Sequence, residues 1–186
     1  MEDTTLQKYS ITIEKVYIAN LPDTFVSQPL NSIHLIYGGI AGDLHFGLTK
    51  PAGTREKMYP RGTEIFNRRQ ITVVSLEECQ IIAERLGVKK LLPEWFGANI
   101  AISGFPGFTK LPAGSRILFP SGAGLLCEGE NHPCTALASV IQEKIPDQPI
   151  QRELVQQAMG LRGIIAMVEQ EGVVHTGDDA QIWVMN

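Results

Sequence analysis

The chain has 186 residues, a formal net charge of −4 at pH 7 and 44% hydrophobic residues. This length suits one domain over residues 1–186 and suffices to bury a core without metal or disulfide staples. The negative balance argues against a nucleic-acid surface, and no apolar run approaches the roughly 20 residues that span a bilayer. Since the segment 1–5 is acidic where a signal peptide is basic, a cytoplasmic location without membrane insertion is expected.

Glycine and proline divide the chain into many short segments, which favours a mainly β barrel with interleaved helices over a helical bundle. Alternating apolar residues predict a first strand over 11–18, and a loop with a short strand follows over 21–33. Further strands are predicted over residues 71–74, 97–103, 115–119, 124–128, 162–169, 173–175 and 180–184. Predicted helices run from a capping box at 75–78 to Gly87, from Cys134 to Pro146, and over 151–159.

Two stretches before the strand predicted over 71–74 are candidates for a functional site. Residues 38–47 hold four glycines around Asp43 and His45, which suggests either a polar pair lining a pocket or a turn in which Asp43 bonds its own backbone. The glycines lack the Gly-Lys-Ser/Thr of a phosphate-binding P-loop. Residues 48–66 are charged and contain prolines and glycines, so we expect a long irregular loop of the kind that is functional or mobile.

The three cysteines occupy different settings, and all are expected to be thiols in a reducing compartment. Cys79 lies on the apolar face of a predicted helix and Cys127 inside a predicted strand, so both are expected to be core residues. Cys134 follows a polar loop and precedes a helix, whose positive end lowers a thiol pKa and increases the thiolate fraction. His132 nearby leaves a shared metal and a Cys–His nucleophile pair as alternatives, although no zinc-site spacing accompanies them.

Three arginines are candidate anion ligands, since a guanidinium matches phosphate or carboxylate geometry. Arg68 and Arg69 precede a buried strand, and alternation is expected to send one to each face, so that at most one faces a pocket. Arg162 opens a strand after the third predicted helix. For each of these arginines, a solvated surface position is the competing interpretation.

Taken in order, these segments resemble the MOSC domain, named after the C-terminal region of molybdenum-cofactor sulfurases, over about residues 37–184, and the chain is most similar to the small stand-alone bacterial members. The resemblance rests on the order and spacing of the segments 39–45, 67–70, 97–100, 129–134 and 162–163, with Gly172 and Gly177-Asp178 beyond them. It implies a MOSC-type β-barrel, a pocket for the molybdenum cofactor, and a role for Cys134 as sulfur carrier or as molybdenum ligand. Cofactor-binding residues implied by motif position are Asp43, His45, Arg68, Arg69, Asn99, Asn131, His132 and Arg162.

The function that this resemblance implies is sulfur transfer to the molybdenum cofactor, with molybdenum-dependent reduction of N-hydroxylated compounds as the alternative. A non-catalytic carrier of the pterin is a third hypothesis, from a different class, so whether the chain is an enzyme stays open. The 186 residues leave no room for the pyridoxal-phosphate domain of full-length sulfurases. We therefore expect a separate sulfur donor such as a cysteine desulfurase, or for reduction an electron-donor protein, because the chain has no ferredoxin-type cysteine cluster.

Overall fold

The computed structural model describes residues 6–185, which form thirteen β-strands, three α-helices and two short 3₁₀ helices. The strands are β1 (Leu6–Ile18), β2 (Gln28–Leu30), β3 (Ser32–Ile36), β4 (Gly39–Ile40), β5 (Thr49–Pro51), β6 (Glu64–Phe66), β7 (Ile71–Ser75), β8 (Ile100–Ser103), β9 (Arg116–Leu118), β10 (Gly124–Glu130), β11 (Ile164–Gln170), β12 (Gly172–His175) and β13 (Asp179–Met185). The helices are α1 (Leu76–Leu86), α2 (Thr135–Lys144) and α3 (Gln151–Gln157), with 3₁₀ helices at Pro93–Phe96 and Phe108–Lys110. No helix in this described part is long and apolar enough to cross a membrane.

Seven strands close into a barrel in the order β1, β13, β9, β10, β11, β7, β8 and back to β1. The 13-residue strand β1 makes closure possible, because its first half pairs with β13 and its second half with β8. Neighbouring strands are antiparallel except for β7 and β8, which run parallel with Val73 opposite Ile100. The predicted mainly β fold with interleaved helices is confirmed.

Two apolar cores lie on opposite sides of the barrel wall. Because successive strand residues point to opposite faces, Val73 and Ile100 enter the barrel interior, whereas Val74 and Ala101 face the helices. The interior is filled mainly by fully buried isoleucine, leucine and valine, and Cys127 lies among them. Cys79 lies on the buried face of α1 and belongs to the second core, so the predicted core positions of both cysteines are confirmed.

Most predicted elements are present, and several differ in their bounds; β1, for example, begins at Leu6 and not at residue 11. The strand predicted over 97–103 begins at Ile100, because a 3₁₀ helix ends at Gly97, whose φ of 72° is in the left-handed region. The stretch 48–66 is not irregular throughout, since its two ends pair as β5 and β6 with Thr49 opposite Phe66. The irregular part is the connection between these two strands.

The capping box predicted at the start of α1 forms by half. Ser75 Oγ accepts a hydrogen bond from the Glu78 N–H at 3.3 Å, as a capping residue should. The Glu78 carboxylate, however, turns inward and accepts from the backbone N–H and the hydroxyl of Thr109 at 2.9 and 2.7 Å. Burial raises the pKa of Glu78, and the two Thr109 bonds oppose that shift. Glu78 thus ties α1 to the 3₁₀ helix that precedes β9.

Candidate active site

Cys134 is the N-cap residue of α2, with extended backbone angles (φ −140°, ψ 168°), and its carbonyl accepts from the Ala138 N–H at 3.2 Å. The helix forms here because Pro133 precedes the cap and the following residues present Leu137, Ala138 and Ile141 to the second core. The side chain of Cys134 is partly buried. The thiol therefore lies at the positive end of a ten-residue helix while staying accessible.

The electrostatic surroundings of Cys134 favour the thiolate. Burial acts to raise the pKa of Cys134, but the backbone N–H of Leu137 and the guanidinium groups of Arg162 and Arg55 outweigh it, and the net pKa lies below the ordinary thiol value. The other two thiols behave in the opposite way, since burial raises the pKa of Cys79 to about 12 and that of Cys127 to about 11. Reactivity towards electrophiles is thus concentrated on one of the three cysteines.

The Arg162 side chain lies beside the Cys134 thiol. Its Nη1 donates to the His132 carbonyl at 2.8 Å and lies 3.8 Å from Cys134 Sγ. The side chain is only 7% exposed, and burial lowers the pKa of Arg162. No imidazole of residues 6–185 hydrogen-bonds the thiol, so the partner of Cys134 in this part of the chain is a guanidinium and the Cys–His alternative lacks geometric support.

Gly163 fixes where Arg162 lies. Its φ is 83°, and a Cβ atom at this position would come within 2.1 Å of the Val73 carbonyl oxygen, so no other residue fits this crossing of β7. The Gly163 N–H donates to Thr109 Oγ1 at 2.6 Å, and its carbonyl accepts from the Asn131 N–H at 2.9 Å. The close crossing holds Arg162 beside the loop that carries Cys134.

Arg69 forms a second cationic wall. Its Nη2 donates to Asn131 Oδ1 at 3.0 Å, which joins the two motif segments that contain these residues. Burial, together with the positive charges of Arg55 and Arg162, lowers the pKa of Arg69 to about 10. The side chain stays charged at neutral pH, but the cluster of like charges holds free energy that a bound anion would release.

The prediction that at most one of Arg68 and Arg69 faces a pocket is wrong. Residues 67–70 lie outside any strand: Asn67 Nδ2 donates to the carbonyls of His45 and Gly47, and Asn67 Oδ1 accepts from the Arg69 N–H. Alternation therefore does not apply, and both arginines line one cavity. Arg68 is mostly exposed and forms an ion pair with the buried Glu128 carboxylate.

One hydrogen-bond network joins Asp43, His45 and Asn99. For the Asp43–His45 pair, both the predicted local turn and the predicted position at a pocket are partly correct. The Asp43 carboxylate accepts from the His45 backbone N–H and ring Nδ1 at 2.9 and 3.0 Å, and also from Ala19 N–H and Asn99 Nδ2, both at 2.8 Å. Asp43 and Asn99 are buried, so their visible task is to hold the loop against β1 and β7. His45 is partly exposed and reaches the pocket wall.

The candidate site is a cavity of two connected chambers that share Cys134, Arg55 and Arg69. The outer chamber measures about 620 Å³ and includes His132, whose ring lies 3.3 Å from the Glu130 carboxylate. The inner chamber measures about 260 Å³ and is lined by His45, Asn131, Arg162 and the aromatic rings of Phe25 and Phe96. Of the eight predicted cofactor-binding residues, six line a chamber and two, Asp43 and Asn99, support its wall.

Three cations of the site were not singled out from the sequence: Lys50, Arg55 and Lys57 of the segment 48–66. The expectation that this long loop is functional was the available signal, since it carries several basic residues within a few positions. Lys50 is paired with Glu56 at 2.9 Å, which orders part of the loop. Among residues 6–185, no group of three or more His, Cys, Asp and Glu side chains is arranged to hold a metal ion.

Fold and site together define a β-barrel protein with a single activated thiol in a cationic pocket. The chain belongs to the MOSC domain family, whose family model matches residues 41–181. This match lies within the span of 37–184 expected from the motifs, and the recognised family is confirmed.

Two comparisons concern a protein of Bacillus subtilis. The chain is 56% identical over 170 residues to "Putative metal-sulfur cluster biosynthesis proteins YuaD" of strain 168, which covers 91% of this chain and 88% of that relative. The crystal structure of the YuaD protein from Bacillus subtilis matches with a TM-score of 0.94 at 52% identity, covering 98% of this chain and all of that one. These similarities extend over nearly the whole of both chains.

A more distant structure shares the fold. The crystal structure of YiiM from Geobacillus stearothermophilus matches with a TM-score of 0.61 and 16% identity, covering 92% of this chain and 74% of that one. At this identity the likeness concerns the barrel architecture alone.

Proposed function

We propose that this protein binds the molybdenum cofactor and that Cys134 carries sulfur for transfer to it. The observation that carries the proposal is the Cys134 thiol, whose pKa is lowered and which lies where two cationic chambers meet. A thiolate in such a setting is both a nucleophile and a soft metal ligand. The family to which the chain belongs and the words "metal-sulfur cluster biosynthesis" in the name of its relative agree with a sulfur-related role.

The residues of the cavity fit this cofactor chemically. The molybdenum cofactor ends in a phosphate, and the outer chamber offers Lys50, Arg55, Lys57 and Arg68 as cations that suit it. When bound, the cofactor would supply a molybdenum centre that takes up sulfur, and Cys134 would be the residue that delivers it. The cavity of about 620 Å³ has the size expected for a cofactor site.

The chain's own residues have separate tasks in this proposal. Arg162 and the start of α2 lower the pKa of Cys134 and so increase its thiolate fraction, which helps it to accept sulfur from a donor without a dedicated base. Arg69 and Asn131 hold the wall between the chambers through their 3.0 Å hydrogen bond. The exposed His132 and Arg68 lie at the rim of the outer chamber, where an incoming ligand meets them first.

The sulfur donor is proposed to be external to this chain, either a desulfurase protein or a small sulfur compound. Reduction of N-hydroxylated compounds is the alternative use of the same cysteine, which would then remain bound to molybdenum and require an electron donor. A carrier that only encloses the pterin would use the outer chamber and leave Cys134 idle. In these three uses, Cys134 carries sulfur, remains bound to molybdenum or has no role.

The test is anaerobic purification and reconstitution of the wild-type protein and of Cys134→Ser, followed by measurement of molybdenum, released pterin and cyanide-labile sulfur. We expect pterin and molybdenum in the wild type, and labile sulfur that disappears in the variant. Equal molybdenum, pterin and labile sulfur in both proteins would leave only the carrier. Molybdenum lost from the variant without labile sulfur in the wild type would favour reduction, and no pterin in either protein after reconstitution would overturn the proposal.

A further inference from the structure

The lining of the inner chamber carries more positive than negative side chains. Three guanidinium groups line it, from Arg55, Arg69 and Arg162, and among the described residues no carboxylate lines it. The outer chamber differs, because Glu56 and Glu128 lie among its cations. An enclosed wall with three cations and no acid is the arrangement expected for an anion site.

Two further features point to a ligand in this chamber. Arg162 is 93% buried, and within residues 6–185 its Nε has no hydrogen-bond acceptor. Buried donors are nearly always satisfied, and this unpaired N–H belongs to a side chain that lines the chamber. The chamber is also lined by Ala136 in the first turn of α2, the positive end of that helix.

The size of the chamber limits the ligand. A volume of about 260 Å³ falls below the roughly 300 Å³ at which sites for drug-sized ligands begin, but it accommodates an anion of a few heavy atoms. Cys134 borders the chamber together with the three arginines, so an anion held there lies against the thiol. A small anion in this position would be close enough to react with the thiolate.

We propose that the inner chamber binds a small sulfur-bearing oxyanion of the thiosulfate class and that its outer sulfur is transferred to Cys134. The thiolate attacks the outer sulfur, a new S–S bond forms on Cys134, and the S–S bond of thiosulfate breaks. Sulfite leaves with the electron pair of that bond, so the products are a Cys134 persulfide and sulfite, and no external oxidant or reductant is required. The inference rests on the sulfur-carrying role of Cys134 proposed above, but it needs no bound pterin.

The three guanidinium groups allow the Cys134 thiolate and a thiosulfate anion to come into contact. A thiolate and a thiosulfate dianion repel each other, and three cations around the contact offset that repulsion. The same cations suit the negative charge that gathers on the departing sulfite. Asn131 accepts a hydrogen bond from Arg69 and so orients one of these cations.

The experiment uses the reduced wild-type protein under anaerobic conditions with sodium thiosulfate. We expect intact-protein mass spectrometry to show a gain of one sulfur atom per chain, peptide mapping to place it on Cys134, and sulfite to appear in equal amount. Cys134→Ser should gain no sulfur although it retains the two buried thiols. Absence of both the mass gain and the sulfite from the wild type would overturn the inference.

Two charge variants test the chamber itself. Arg69→Gln should raise the thiosulfate concentration needed for half-maximal loading at least tenfold, whereas Arg152→Gln on the exposed face of α3 should leave it unchanged. Alkylation of Cys134 by neutral iodoacetamide should persist in Arg69→Gln, which shows that the variant is folded with its thiol accessible. An unchanged half-maximal concentration in Arg69→Gln would contradict the anion site.

Failure of this inference can be told apart from failure of the proposed function. If a desulfurase loads sulfur on Cys134 and the protein binds pterin, but thiosulfate transfers none, the inner-chamber inference is wrong and the proposed function stands. If thiosulfate loads Cys134 while neither molybdenum nor pterin binds, the inference stands and the cofactor proposal falls.

Discussion

Replacing Arg162 by glutamine tests whether this guanidinium sustains the Cys134 thiolate. Arg162 Nη1 lies 3.8 Å from Cys134 Sγ, and two unit charges at that distance interact by about 1 kcal/mol even at the dielectric constant of water. Since 1.36 kcal/mol corresponds to a tenfold change in the ionisation constant, loss of about 1 kcal/mol lowers the ionisation constant of the Cys134 thiol about fivefold. Burial of Arg162 reduces solvent screening, so fivefold is the lower bound that we expect.

The assay is the pH dependence of Cys134 alkylation by iodoacetamide. This reagent reacts with the thiolate, and because it is neutral, its access does not depend on the positive charge of the inner chamber. The cation lowers the pKa of Cys134, so its removal raises that pKa and slows the reaction at neutral pH. Far above both pKa values the two proteins are fully ionised and should react at the same rate. Arg152→Gln provides a matched loss of one exposed arginine.

The result that would refute this reasoning is an Arg162→Gln protein with an unchanged pH profile. Because Arg162 also donates to the His132 carbonyl, thermal unfolding must show that the variant is folded. A uniform fall in rate at every pH would indicate a displaced loop instead of a changed pKa. The pH profile therefore separates the electrostatic role from a structural one.

Three other outcomes follow from the same contacts. In the wild type at neutral pH, one iodoacetamide label per chain is expected, on Cys134, because burial raises the pKa of the other two thiols; peptide mapping checks this. Gly163→Ala should fail to fold or lose more than about 3 kcal/mol in urea unfolding, whereas Gly177→Ala, with positive φ but open space, should lose about 1 kcal/mol. Hydrogen bonds lower the pKa of Asp43 against the opposing effect of burial, so its contribution to stability is present above its ordinary pKa and is lost as pH falls through the lowered value. Asp43→Asn should flatten that acid limb, measured by thermal unfolding across pH.

The reactive cysteine could be predicted from the sequence because its signals are local. A polar approach, Pro133 and the apolar periodicity that follows define a helix start within about ten residues, and the structure places Cys134 there. The buried settings of Cys79 and Cys127 were predictable for the same reason, since each lies inside a periodic apolar run. Apolar periodicity over a few residues is enough to predict which residues lie at a helix end or face the core.

The assembly of the pocket could not be predicted in this way. Arg162 reaches Cys134 from a strand start 28 positions away, and Arg69 reaches Asn131 across 62 positions, contacts that depend on how β7, β10 and β11 pair. Arg55 enters from an irregular connection that has no periodicity to interpret. The prediction that only one of Arg68 and Arg69 faces a pocket was wrong because strand alternation was applied to residues that precede the strand.

Charge placement, rather than charge total, gives this protein a cationic pocket. The chain has 20 acidic and 16 basic residues, so its composition alone gives no hint of an anion site. The two chambers nevertheless gather six basic side chains (Lys50, Arg55, Lys57, Arg68, Arg69 and Arg162) against two acidic ones (Glu56 and Glu128). A positive concavity in an otherwise negative molecule concentrates field at one opening, which draws anions there and disfavours contact elsewhere. An anionic pterin and an anionic sulfur donor would both be guided to the same thiol.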